Sequence, residues 1–266
     1  MPRAIVNIVA KDGSRAETER QATMHTGPLG STIHVLHADP QTVVALASID
    51  WNRSFRRVYL DPVRGLITLM APSRLHEELA RTLDHVVDVA ASALTGAVKG
   101  LLAARLREPT APPGTGMEPD CAFYVGEKAR AYRAALAEGK EAADAFFDAN
   151  APDLVVEVEI TSADESKIER YADLGVRELW LLQNPDGSGT PRAEFLALRP
   201  RTAPRRLASS NVLGGLTPDD VCEAVAGVRL SVTRDERTAA VARIVRRRQR
   251  ASVRVREADT PYARSG

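Results

Sequence analysis

Hydrophobic and polar positions alternate over several short stretches in the first third of the chain. Ile33 to Leu36, then residues 43–49, 57–60 and 66–70, read as strands, the last two joined by turn residues between Asp61 and Gly65. Together they predict an antiparallel entry into a sheet. From Ser73, a candidate N-cap, the period lengthens: Leu75, Leu79, Leu83, Val86, Val87, Ala90 and Leu94 recur at helical spacing over about five turns. That spacing predicts a long helix with one face toward the core. A Pro, Gly and Thr-rich loop over 107–116 then leads to a strand over 120–125. Residues 127–148 are alanine-rich and interrupted by Gly139, which predicts two short helices. A strand over 153–160 follows, and then a helix that Ser162 or Asp164 can cap and Gly175 can stop. Further strands are predicted over 178–182 and near 194–198, with a turn over 184–189 between them and an arginine-rich loop over 199–206 after them. The alternation predicts an α/β fold: a mixed β-sheet flanked by helices on both faces.

Residues 1–30 hold no sustained period over most of their length and read as a leader, with one domain expected over 31–232. Residues 233–266 read as a basic C-terminal tail with a helix over 238–250. The chain has 266 residues, 44% of them hydrophobic, ample for one sizeable core. Its net charge of +1 hides polarity along the chain, because the last 34 residues carry ten arginines against four acids while 138–169 is mainly acidic. Cys121 and Cys222 are the only cysteines. Neither a disulfide framework nor a cysteine zinc site follows from two, and the expected compartment is the cytoplasm. No apolar run approaches the roughly 20 residues that span a bilayer, and the first ten residues lack a secretory cleavage pattern.

The strand over 153–160 is where the pattern turns chemical. Side chains alternate across a strand, so Leu154, Val156, Val158 and Ile160 share one face while Val155, Glu157 and Glu159 share the other. Two carboxylates on one face, with α-carbons roughly 6.5 Å apart, can both reach one hard cation or its bound water. Asp120 opens the neighbouring predicted strand and adds a third oxygen donor. Lys167 lies on the following helix, sharing a face with Tyr171 and Leu174 at i, i+4 and i+7. Hydrolysis of a phosphodiester calls for a cation to neutralise developing charge, oxygen ligands suit Mg2+ or Mn2+, and a lysine can orient or deprotonate the nucleophile.

In their order and spacing these residues resemble the PD-(D/E)XK nuclease superfamily, and within it the bacterial Uma-type family of restriction-endonuclease-like proteins. The resemblance is carried by Gly65 to Glu77, Glu118-Pro119-Asp120 leading into Phe123-Tyr124, Pro152 to Ser162, Lys167, and Gly175 to Trp180. It implies a restriction-endonuclease-like fold, divalent-metal dependence and DNA as substrate. Asp120 matches the first metal-binding acid, Glu157 the acid of the second motif, and Lys167 a lysine displaced onto the next helix. Where many members carry lysine two positions after that acid, this chain has Glu159, which leaves Glu159 between ligand and base. Glu77 matches a place where the superfamily often adds a further acid. The superfamily often acts as dimers, so a homodimer is a corresponding expectation.

Other readings stand beside this one. Acids on one strand face also mark a solvated face, and Lys167 can pair with Asp164 or Glu165 on its own helix at a worth of about 0 to 1 kcal/mol. His34 and His37 point to opposite strand faces and find no third ligand, while His76 fits a local or capping role. Trp180 and Tyr171 fit the core. Residues 246–250, with four arginines, fit either a phosphate track or a solvated tail. The alternative to an endonuclease is a catalytically silent nuclease fold that binds nucleic acid or a protein as a regulatory module.

Overall fold

The computed structural model describes residues 8–9, 15–16, 23–26, 32–46, 57–61, 65–71, 74–101, 104–106, 116–159, 165–183 and 191–258. Two strands, β1 (Ile8–Val9) and β2 (Arg15–Ala16), form a small hairpin. A four-stranded antiparallel sheet in the order β3-β4-β6-β5 joins β3 (Thr23–Thr26), β4 (Thr32–His37), β6 (Leu66–Ala71) and β5 (Arg57–Asp61). Thr23–Thr26, assigned to the leader from sequence, is thus paired with β4. Residues 43–49 were expected as a strand, yet α1 (Pro40–Leu46) is helical. The missed signal is local: Pro40 suits the first helical turn, and Asp39 accepts from the Thr42 amide at 2.9 Å. Gly65 closes the approach to β6 at φ +62°, where any β-carbon would sit 2.3 Å from the Ala38 carbonyl oxygen.

The larger sheet has six strands in the order β12-β11-β10-β9-β8-β7: β7 (Val98–Gly100), β8 (Cys121–Val125), β9 (Leu154–Glu159), β10 (Glu178–Gln183), β11 (Arg192–Ala197) and β12 (Arg205–Leu207). Only β9 and β10 run parallel, joined through α5 (Glu165–Asp173); the other neighbours are antiparallel. This is the mixed sheet flanked by helices that the sequence predicts. One face carries Leu154, Val156, Val158 and Trp180, with α2 (Arg74–Thr95), α6 (Pro218–Leu230) and α7 (Arg234–Ala258) packed over it. The other face carries Val155, Leu179 and Leu181 beneath Tyr171 and Ala172 of α5. Trp180 stacks on Phe195 at 4.2 Å between centroids, inside the core. The period-2 alternation of β9 therefore divides two cores. The remaining helices, α3 (Glu127–Glu138) and α4 (Lys140–Ala149), lie between β8 and β9 in the chain and meet at Gly139.

The C-terminal helix is longer than the segment expected, and it is built in rather than appended. Ala240, Val241, Ile244 and Val245 of α7 are buried against α2 and α6. Thr217 starts α6 with a capping box closed by Asp220 and with Pro218 in the first turn. Asp220 then accepts from Arg247 at 2.9 Å and from Arg248. Burial works to raise its pKa, but the hydrogen bonds from Arg248, Thr217 and Arg247 outweigh it and hold the carboxyl below its ordinary value. Two of the four arginines in 246–250 therefore serve the helix junction. No helix among the described residues is long and apolar enough to cross a membrane.

Candidate functional site

β8 and β9 pair antiparallel with Cys121 opposite Val156, so one step further Asp120 faces Glu157. Asp120 Oδ2 accepts the Val158 amide at 2.6 Å and lies 3.2 Å from His76 Nε2. Both side chains are buried, and the contact brings the first turn of α2 onto the sheet. A carboxylate tied to a main-chain amide on the adjacent strand cannot swing freely, so its position follows the sheet register.

Glu157 is only 2% exposed. Its two oxygens are divided between two side chains of α5: Oε1 accepts from the Tyr171 hydroxyl, and Oε2 lies 3.2 Å from Lys167 Nζ. Lys167 and Tyr171 are four apart and thus on one helix face, so a single element supplies both donors. That element ends firmly. The Val176 amide bonds to the Tyr171 carbonyl and the Gly175 amide to the Ala172 carbonyl, both at 3.0 Å, with Gly175 at φ +84°. This is the Schellman arrangement that Gly175 predicts from sequence. It fixes the backbone of the residue whose hydroxyl holds Glu157.

Glu159 stands further along the same strand face, half-buried, with Oε2 3.4 Å from Nε2 of Gln183, its register partner on β10. Glu77 lines a cleft where α2, α6 and α7 meet, together with Arg74, Arg81 and Arg237. The structure thus brings Asp120, Glu157 and Lys167 into one neighbourhood, sets Glu159 at its edge, and gives Glu77 to the cleft. Two further contributors escaped the sequence reading. Tyr171 was assigned to the core alone, although its i+4 relation to Lys167 was visible; His76 had only a local role, and nothing in the sequence aims it at Asp120. Ser162 and Asp164, the expected caps of α5, lie outside the described residues.

The donor chemistry suits a hard divalent cation. Mg2+ retains several waters and takes one or two carboxylates, which Asp120 and Glu157 on adjacent strands can provide. Among the described residues no group of three or more His, Cys, Asp and Glu side chains is arranged to hold a metal.

No curated protein matches the chain. A family model described as "putative restriction endonuclease", Uma2, matches residues 47–233, which takes in β5 through α6 and every residue of the site. With well over half its length covered, and with Asp120, Glu157 and Lys167 meeting on a restriction-endonuclease-like sheet, the chain belongs to the Uma2 family of restriction-endonuclease-like proteins.

Proposed function

We propose that this protein is a metal-dependent DNA endonuclease in which Asp120 and Glu157 hold Mg2+ or Mn2+ and Lys167 assists the attacking water. The observation that carries the reading is the Lys167–Glu157 ion pair at 3.2 Å, on the strand position facing Asp120. A bound divalent ion would supply charge neutralisation at the phosphate and acidify a coordinated water. The protein's own part is preorganisation. The Val158 amide and His76 orient Asp120. Tyr171 holds one oxygen of Glu157 while Lys167 engages the other. The Lys167 side chain is 24% exposed, so its ammonium can meet solvent and a scissile phosphate without crossing the core. Glu159, two residues along the strand on the same face, would be the acid to accept a proton from the water. The test incubates supercoiled plasmid with protein across Mg2+ and Mn2+ concentrations, beside Asp120→Ala and Lys167→Ala. Cleavage that persists in both variants ends the proposal.

One observation favours a second reading, a silent nuclease fold acting as a binding module. Both oxygens of Glu157 already have protein donors, so a cation would have to share or displace them. Calorimetric titration with Mg2+ and Mn2+ separates the two: no heat of binding, with DNA affinity intact, selects the silent fold.

A further inference from the structure

Sequence alone offered the arginines of 246–250 as a phosphate track, but Arg247 and Arg248 are committed to Asp220. A different set of arginines is not committed. Arg74 and Arg81 of α2 and Arg237 of α7 line a cleft of about 640 Å³ between α2, α6 and α7, and no side chain of the three makes an ion pair or hydrogen bond among the described residues. Two carboxylates, Glu77 and Glu78, line that cleft beside the three guanidinium groups, and Glu78 is matched by Arg229 at 3.0 Å. His85 also lines it, and its Nε2 is buried without a hydrogen-bond partner. Burial first, then the charge of Arg237, hold His85 below its ordinary pKa, against the opposing pull of Asp88 and Asp84. Val228 is the single aliphatic residue in the lining.

We infer that this cleft binds the phosphate backbone of DNA, as a contact surface additional to the Asp120–Glu157 centre. The walls are mainly polar, with Val228 the one aliphatic side chain, and a guanidinium fork matches phosphate oxygens two at a time. Arg74 and Arg81 are two helical turns apart, about 10.5 Å along α2, a length equal to roughly three base-pair steps along the axis of a duplex lying parallel to the helix. The location is apt as well. Arg74 opens the cleft two residues before His76, which touches Asp120, so the surface begins at the end of α2 that meets the candidate centre. Contacts of this kind fix orientation and affinity without reading sequence.

The inference rests on the DNA-directed reading above but is tested without cleavage. Labelled duplex is titrated by fluorescence anisotropy in EDTA over a series of salt concentrations. The proteins compared are the parent, Arg81→Ala/Arg237→Ala, Arg81→Lys/Arg237→Lys, and Arg130→Ala on α3 as a surface control. The alanine pair should weaken binding equally for unrelated sequences and lower the salt slope by about 2, while the lysine pair and the control keep the parental slope. Unchanged affinity and slope in the alanine pair overturns the inference, as does an equal loss in Arg130→Ala, or tighter binding of a matched RNA duplex than of DNA. Lost binding in the alanine pair, with no cleavage by any protein in Mg2+ or Mn2+, would sink the nuclease reading and leave this one standing. Lys167-dependent cleavage with full binding by the alanine pair would do the reverse.

Discussion

Glu157 and Glu178 are buried glutamates on adjacent parallel strands, 2% and 1% exposed, and they make opposite uses of burial. Glu178 accepts from Trp180 Nε1 at 2.7 Å, Ser210 Oγ at 2.6 Å and the amides of Asn211 and Val212 at 2.9 and 3.3 Å. Every donor is neutral and rigidly placed, so this carboxylate anchors the 207–217 segment to the sheet. Glu157 has one neutral, buried donor, Tyr171, and one charged donor, Lys167, whose side chain is 24% exposed. Burial and hydrogen bonding alone therefore do not separate a structural carboxylate from one at the candidate site. What distinguishes Glu157 is a second acid across the strand and a charged, partly exposed partner.

The sharpest way to break this comparison is to remove each partner set and see which property falls. Lys167→Ala should lower plasmid cleavage by about 10²- to 10⁴-fold, the range for a positioned acid–base group, with an unchanged urea midpoint. A variant that unfolds early but still cuts would make Lys167 architectural. Glu178→Gln should do the opposite, costing about 3 kcal/mol in urea unfolding, because an amide nitrogen would face N–H donors already aimed at a carboxylate oxygen. Tyr171→Phe keeps the packing and loses only the hydroxyl; about tenfold weaker metal affinity or cleavage is expected for loss of a group that orients a ligand. At the helix junction, Thr217→Ala should cost about 1 kcal/mol through loss of the capping box.

Asp220 refines the comparison through pH. Its pKa is depressed in the folded state, so its contribution is present above the ordinary carboxyl value of 3.8 and is lost as pH falls below that value. The stability gap between the parent and Asp220→Asn, followed by urea unfolding from neutral pH downward, should therefore close in acid. A gap that stays constant would mean that Asp220 acts through packing rather than charge.

Much of the frame was legible because periodicity is written in the chain. The alternation of β9 fixes which core each side chain enters, and the Leu79, Leu83, Val86 and Ala90 stripe of α2 is buried as its spacing requires. Residues 43–46 misled because Val43-Val44 suits a strand, and the short-range cap at Asp39-Pro40 outweighed that preference. The site divides in the same way. That Asp120, Glu157 and Lys167 come together could be read from one chain because their elements were recognisable. The assignment of each arginine could not, since whether Arg247 meets Asp220 or Arg81 meets solvent depends on helix contacts across more than 20 residues.

The excursion of α3 and α4 has a practical corollary. The chain leaves the sheet after β8 and returns at β9, and Tyr124 on β8 anchors the detour through ring contacts with Tyr132 and Phe146. Because the pairing of those two strands is set by their own register, the bend at Gly139 can accept cargo: doubling a surface loop costs only about 0.6 kcal/mol in closure entropy. A fluorescent reporter or affinity handle spliced there would ride outside the fold, and would offer an engineering port that leaves both chain ends untouched.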